Sequence, residues 1–195
     1  MDISTITQKL DSFPENKKKE ILVLLDELNE AKTRSASQAD FLTFVKEVWP
    51  AFIEGAHHKI MSNAFNRIAD GSLKRLIVNM PPRHTKSEFA SHLFPAWYLG
   101  KFPDRKVIQT AHTAELAVGF GRKVRNLVGS NDYAEIFPGV ALSADSKAAG
   151  RWNTNKDGDY FAIGVGGAVT GKGADILIVD DPHSEQEAAL NDPTV

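Results

Sequence analysis

Cysteine is absent from the 195-residue chain. That excludes disulfides and any zinc or iron–sulfur site built on thiolates, and it fits a reducing compartment without proving one. Neither sign of charge dominates: 23 Lys and Arg against 25 Asp and Glu leave a formal net charge of −2. A dedicated nucleic-acid coat is usually basic, so any contact with DNA must be local or supplied by a larger assembly. No apolar run approaches the roughly 20 residues of a membrane span. The N-terminal stretch MDISTITQKLDSF has neither the basic start nor the apolar centre of a signal peptide. No internal repeat is visible. What remains is an ordinary globular composition, 42% hydrophobic and 25% charged, in a length that suits one domain and buries a core without staples.

Along the chain, helical and strand patterns alternate. Pro14 opens a helix expected over Glu15–Lys32, with Ile21, Leu22, Leu24, Leu25 and Leu28 on one apolar face. Thr33–Gln38 reads as a polar connector, Ala39–Val48 as a second helix stopped by Pro50, and His58–Ala69 as a third ended by Asp70-Gly71. Lys74–Met80 reads as a buried strand and Lys86–Leu99 as a helix. Lys106–Ala111 reads as a strand, Thr113–Val128 as a helix, and Asp159–Val165 and Asp175–Val179 as strand-like runs. Strands that are apolar on both faces and alternate with helices argue for an α/β fold with a mostly parallel sheet.

Glycine is missing where chemistry would want it. The stretch NMPPRHTKSE, residues 79–88, stands between a strand pattern and a helix pattern. The phosphate-loop pattern G-x-x-x-x-G-K-[ST] places its Lys and hydroxyl on Lys86 and Ser87, but its glycines fall on Met80 and Thr85. Such a loop turns backbone N–H groups toward phosphate, and Thr85 is compatible with it only at negative φ. Pro81 and Pro82 stiffen the entry. The alternative is a plain strand–turn–helix corner with a surface lysine. A nucleoside triphosphatase also needs carboxylates at the end of another core strand, and Ile176-Leu177-Ile178-Val179-Asp180-Asp181 supplies them. On its own that run also fits a buried strand ending in a solvated turn.

Together with QTAHTAELAVGFGRKVR (109–125) and GGAVTGKGADILIVDDPHSE (166–185), the loop resembles the large terminase subunits of tailed bacteriophages, the ATPases of DNA-packaging motors. Their loops often lack the first glycine and carry Pro-Pro-Arg before the Lys. The resemblance implies a P-loop NTPase that uses ATP and Mg²⁺. The loop residues Pro82, Arg83, His84, Thr85, Lys86 and Ser87 would bind nucleotide. Lys86 would reach the β/γ phosphates, Arg83 would sense or stabilise the γ-phosphate, Ser87 and Asp180 would hold the metal, and Asp181 would be the catalytic carboxylate. Arg122 and Arg125, three apart on one helix, are candidates for an arginine acting on a neighbouring subunit, or are surface ion-pair residues. The implied partners are double-stranded DNA, a portal protein, a small terminase subunit and further copies in a ring, in the host cell cytoplasm at the procapsid and with no membrane.

The division expected is an N-terminal helical segment, 1–37, and an ATPase core, 38–195. The chain ends at Val195, whereas large terminase subunits continue into a further ATPase strand and a nuclease domain. That strand would lie between the loop strand and the acidic strand. A gap in the sheet is therefore expected, with unpaired backbone groups costing about 1–3 kcal/mol each where buried, and with it a fragment or truncated product lacking nuclease activity. Two other readings stay open: a non-hydrolysing nucleotide-binding or interaction module, and a helicase-type P-loop ATPase. His57-His58 reads as non-metal because neighbours on a helix do not share a face. His84 reads as loop-shaping, and Trp49, Phe52 and Phe65 as core. Thr170-Gly171-Lys172-Gly173 reads as a tight turn or a nucleotide or DNA contact.

Overall fold

The computed structural model describes residues 13–145, 148–169 and 171–183. Its N-terminal region is helical: α1 (Glu15–Ala39), α2 (Phe41–Val48) and α3 (Ala56–Ala69). Thr33–Gln38 is not a connector but the last part of α1. The stretch has no Gly or Pro to stop it, and tertiary contacts hold it. Trp97 Nε1 donates to the Ser37 carbonyl (2.9 Å), and Gln38 Nε2 donates to the Ile136 carbonyl (2.6 Å). The apolar side chains expected as a buried face are largely open, with Leu22, Leu24 and Leu28 exposed. Asp40 ends α1 and caps α2, accepting from Thr43 N (2.8 Å), while Asn66 Nδ2 donates to its other oxygen (2.7 Å) and ties α2 to α3.

After the 79–88 stretch the chain runs through a π-helical segment, Glu88–Leu93, into α4 (Phe94–Lys101). Then come β1 (Lys106–Ala111), α5 (Ala114–Val128), α6 (Asn131–Ile136), β2 (Arg151–Asn153), β3 (Asp159–Gly164) and β4 (Ile176–Asp180). The sheet order is β2-β3-β1-β4, with β1 parallel to β3 and to β4, and β2 antiparallel to β3. This is a mixed α/β fold: a small, mostly parallel sheet flanked by helices, with a helical region before it. The chain leaves β1 for β3 on one side and returns to β4 on the other. The crevice at the carboxyl ends of such strands is where open α/β sheets bind ligands.

Lys74–Met80 is not a buried strand. The stretch forms no ladder among the described residues, and Ile77 is 86% exposed. Strand formation requires a partner, and 74–78 stand across a groove of about 450 Å³ from β4, which pairs with β1 alone.

The core is aromatic. Phe41 meets Phe65, Phe89 and Phe94 edge-on at 5.3–5.8 Å between ring centres. Phe65 is buried, as expected of a core residue, and stacks on Phe94. Trp49 and Phe52 pack on one another at its margin. On β2 and β3, Trp152 stacks on Tyr160, and Trp152 Nε1 donates to the Gly121 carbonyl (3.2 Å). Gly121 lets α5 approach this close, because a Cβ there would overlap the Ala149 carbonyl oxygen.

Candidate active site

Asp180 lies opposite Ala111 at the carboxyl end of the β1–β4 ladder, and His112 N donates to the Asp181 carbonyl (3.2 Å) just beyond it. The apolar ladder thus delivers two consecutive carboxylates to one edge. Asp180 is buried and accepts from Ser91 Oγ (3.1 Å), while the Asp181 side chain is mostly exposed. Lys86 reaches both. Its Nζ is 2.5 Å from Asp181 Oδ1 and 3.7 Å from Asp180 Oδ1. The hydrogen bond to Asp181 raises the Lys86 pKa, with both carboxylates adding attraction, so Lys86 is a fixed cation.

The loop before Lys86 is strained. Arg83 (φ 63°) and Thr85 (φ 61°) are left-handed on either side of His84. Thr85 therefore does not meet the condition of a negative φ on which its fit to a phosphate loop rested. A β-branched residue in that region costs of order 1–3 kcal/mol and persists only where its surroundings hold it. Here Thr85 Oγ1 donates to the His84 carbonyl (2.6 Å), His84 Nδ1 bonds the Pro82 carbonyl (2.9 Å), and Phe89 N donates to the Thr85 carbonyl (2.9 Å). Two positive-φ residues flanking His84 fold the backbone sharply just before Lys86. Pro82, Arg83 and His84 are exposed, and Ser87 lies in the first turn beyond. A π-helical turn directly after such a loop is common at functional sites.

Glu88 fastens that turn to α5. It bonds His92 Nδ1 (2.6 Å) and accepts from Lys123 Nζ (2.9 Å). Hydrogen bonding from His92, then from Lys123, outweighs burial and lowers its pKa to about 2. Arg122 is exposed on α5, and Arg125 bonds Asn126 Oδ1 (3.3 Å). Among the described residues, Arg122 makes no hydrogen bond or ion pair with Lys86, Asp180 or Asp181. Lys172 lies over the Phe161 ring (3.4 Å), and the Lys172 N–H closes a turn on the Val169 carbonyl across left-handed Gly171. Thr170 lies outside the described residues.

His57 and His58 sit in the first turn of α3 with ring centres 3.8 Å apart, so adjacency on the helix does not separate them as expected. Among the described residues no group of three or more His, Asp or Glu side chains could hold a metal ion. Asp180, Asp181 and the Ser87 hydroxyl are nevertheless all oxygen donors, the set that suits Mg²⁺, which takes one or two carboxylates and completes its shell with water and phosphate.

Ser91 and Glu88 escaped the sequence reading as site residues, and so did the contact of His58 with Thr85. Ser91 stands four residues after Ser87, a spacing that keeps a hydroxyl near the loop side of a helix. His58 follows Gly55 at the third helical position, where a side chain reaches back to the cap N–H.

Comparison with protein-family models, with curated proteins and with solved structures found no match.

Proposed function

We propose that this chain is the ATP-binding part of a DNA-packaging motor of the large-terminase type, an ATP hydrolase. The observation that carries the reading is the convergence of Lys86 on Asp180 and Asp181 beside a sharply folded loop with left-handed Arg83 and Thr85. The loop N–H groups cradle the phosphates, and Lys86 exchanges Asp181 for the β/γ oxygens. Arg83 faces the γ-phosphate. Asp181, released from Lys86, orients a water and accepts its proton. The water oxygen bonds the γ-phosphorus as the bond to the ADP oxygen breaks. Asp180 and Ser87 would hold Mg²⁺, which supplies charge neutralisation at the phosphates. In a ring of copies, Arg122 or Arg125 of one subunit would complete the site of the next, and hydrolysis would move double-stranded DNA into a procapsid with the portal protein and small subunit, in the host cytoplasm. No helix among the described residues is long and apolar enough to cross a membrane.

One observation favours a second reading, nucleotide binding without hydrolysis: the loop-side segment 74–80 has no ladder to fix its distance from β4. Calorimetric titration of a slowly hydrolysed ATP analogue with and without Mg²⁺, on this chain and on Lys86→Ala, tests binding. Phosphate release then separates the two readings. Magnesium-dependent binding lost in Lys86→Ala is expected; a cooperatively folded chain that binds nothing would rule out both.

A further inference from the structure

Thr85 is held in its left-handed conformation from outside the loop. His58 Nε2 lies 2.7 Å from Thr85 Oγ1, across 27 residues of sequence. The direction of that bond follows from the rest of the ring. Gly55 N lies 2.8 Å from His58 Nδ1, and a backbone N–H only donates, so Nδ1 is the acceptor nitrogen. The proton of the neutral imidazole is therefore on Nε2, which donates to Thr85 Oγ1. The Thr85 hydroxyl in turn donates to the His84 carbonyl (2.6 Å). The Gly55 N–H, the His58 ring, the Thr85 hydroxyl and the His84 carbonyl thus form one chain of bonds that runs in a single direction. His58 is 5% exposed, and its ring is stacked on Phe89 at 4.8 Å and edge-on to Phe52 at 4.7 Å. These two ring contacts leave it little freedom to turn away.

We propose that His58 is the positioning residue of the 81–87 loop: its neutral Nε2–H tautomer locks Thr85 at positive φ and so does the work that a glycine would do without help. His58 acts through Thr85 and touches no phosphate. The proposal deepens the phosphate-binding reading of the loop and rests on it for the nucleotide measurements, though not for the exchange measurement below.

The test compares His58→Phe, His58→Gln and His58→Phe with Thr85→Gly. Phe keeps the packing against Phe89 and removes both hydrogen bonds. Gln retains a donor able to reach Thr85. Glycine at 85 adopts positive φ unaided. In the nucleotide-free protein, amide hydrogen exchange of Phe89, whose N–H donates to the Thr85 carbonyl, is expected to rise at least about tenfold in His58→Phe. It should return toward the native value in His58→Gln and in the double variant. Binding of the Mg²⁺–ATP analogue should weaken about tenfold or more in His58→Phe and recover in the same two variants. Unchanged exchange in His58→Phe overturns the proposal, as does a double variant that exchanges as fast as the single one. If exchange responds as stated while no variant, the native chain included, binds the analogue, the positioning role stands and the phosphate reading fails. If His58→Phe does not melt cooperatively, the comparison of His58→Gln with Thr85→Gly decides by the same exchange measurement, both being expected to stay protected.

Discussion

Lys86 Nζ and Asp181 Oδ1, 95 residues apart in sequence, meet at 2.5 Å where the loop faces the end of β4. An ion pair whose acid is 60% exposed adds little stability, about 0–1 kcal/mol, because water screens it. Its cost to function is different. Asp181→Asn is expected to shift the urea midpoint by less than about 1 kcal/mol of stability. Analogue binding should persist, and phosphate release should fall about 10²–10⁴-fold. Release at the native rate in Asp181→Asn would remove Asp181 from the reaction.

The pH dependence follows from His58. Burial, then the neighbouring His57, lowers its pKa below the usual 6.5, and Glu54 opposes the shift only in part. The unfolded chain therefore binds more protons than the folded one just below pH 6.5. Stability from neutral His58 is complete above that value and is lost as pH falls through the lower folded pKa. Thermal midpoints of the native chain should fall in this window more steeply than those of His58→Gln, which has nothing to titrate there. Parallel curves would show that His58 is not a neutral buried group.

Gly121 sets how closely α5 lies on the sheet. Gly121→Ala places a methyl against the Ala149 carbonyl oxygen and the Tyr160 ring, neither the free end of a flexible chain. Overpacking of this kind costs about 1–3 kcal/mol. Gly119 on the same helix has open space around it, and Gly119→Ala should be neutral or mildly stabilising, since alanine favours the helix. Equal effects in chemical denaturation would contradict the packing.

The elements that the sequence disclosed best are those whose signals are local. Lys106–Ala111 is a short run with Val107 and Ile108 at its centre, and the helix after it starts at Thr113, whose hydroxyl accepts from Leu116 N, and stops at Gly129. Lys86 and the Asp180-Asp181 pair stood out in the sequence at element ends, but their direct ion pair did not. What escaped depends on partners distant in the chain. Residues 33–38 look like a linker until Trp97 and Ile136 anchor them. Residues 74–80 look like a strand, but a strand needs a neighbour. The His58–Thr85 bond has no sequence signature, since nothing in a spacing of 27 residues marks two side chains as touching.

The last prediction concerns the two sides of one ladder position. Ile108 on β1 pairs in register with Leu177 on β4. Ile108 is 7% exposed and Leu177 is 61% exposed, because the edge of β4 borders the groove rather than another strand. Ile108→Ala should cost about 2–5 kcal/mol, the usual range for truncating a buried aliphatic side chain. Leu177→Thr should change stability by less than about 0.5 kcal/mol, as exposed substitutions do, and threonine is well suited to a strand. Urea denaturation of both variants measures the difference directly. A Leu177→Thr variant destabilised as much as Ile108→Ala would mean that the β4 face is covered in solution, and that the groove beside residues 74–78 is filled rather than open.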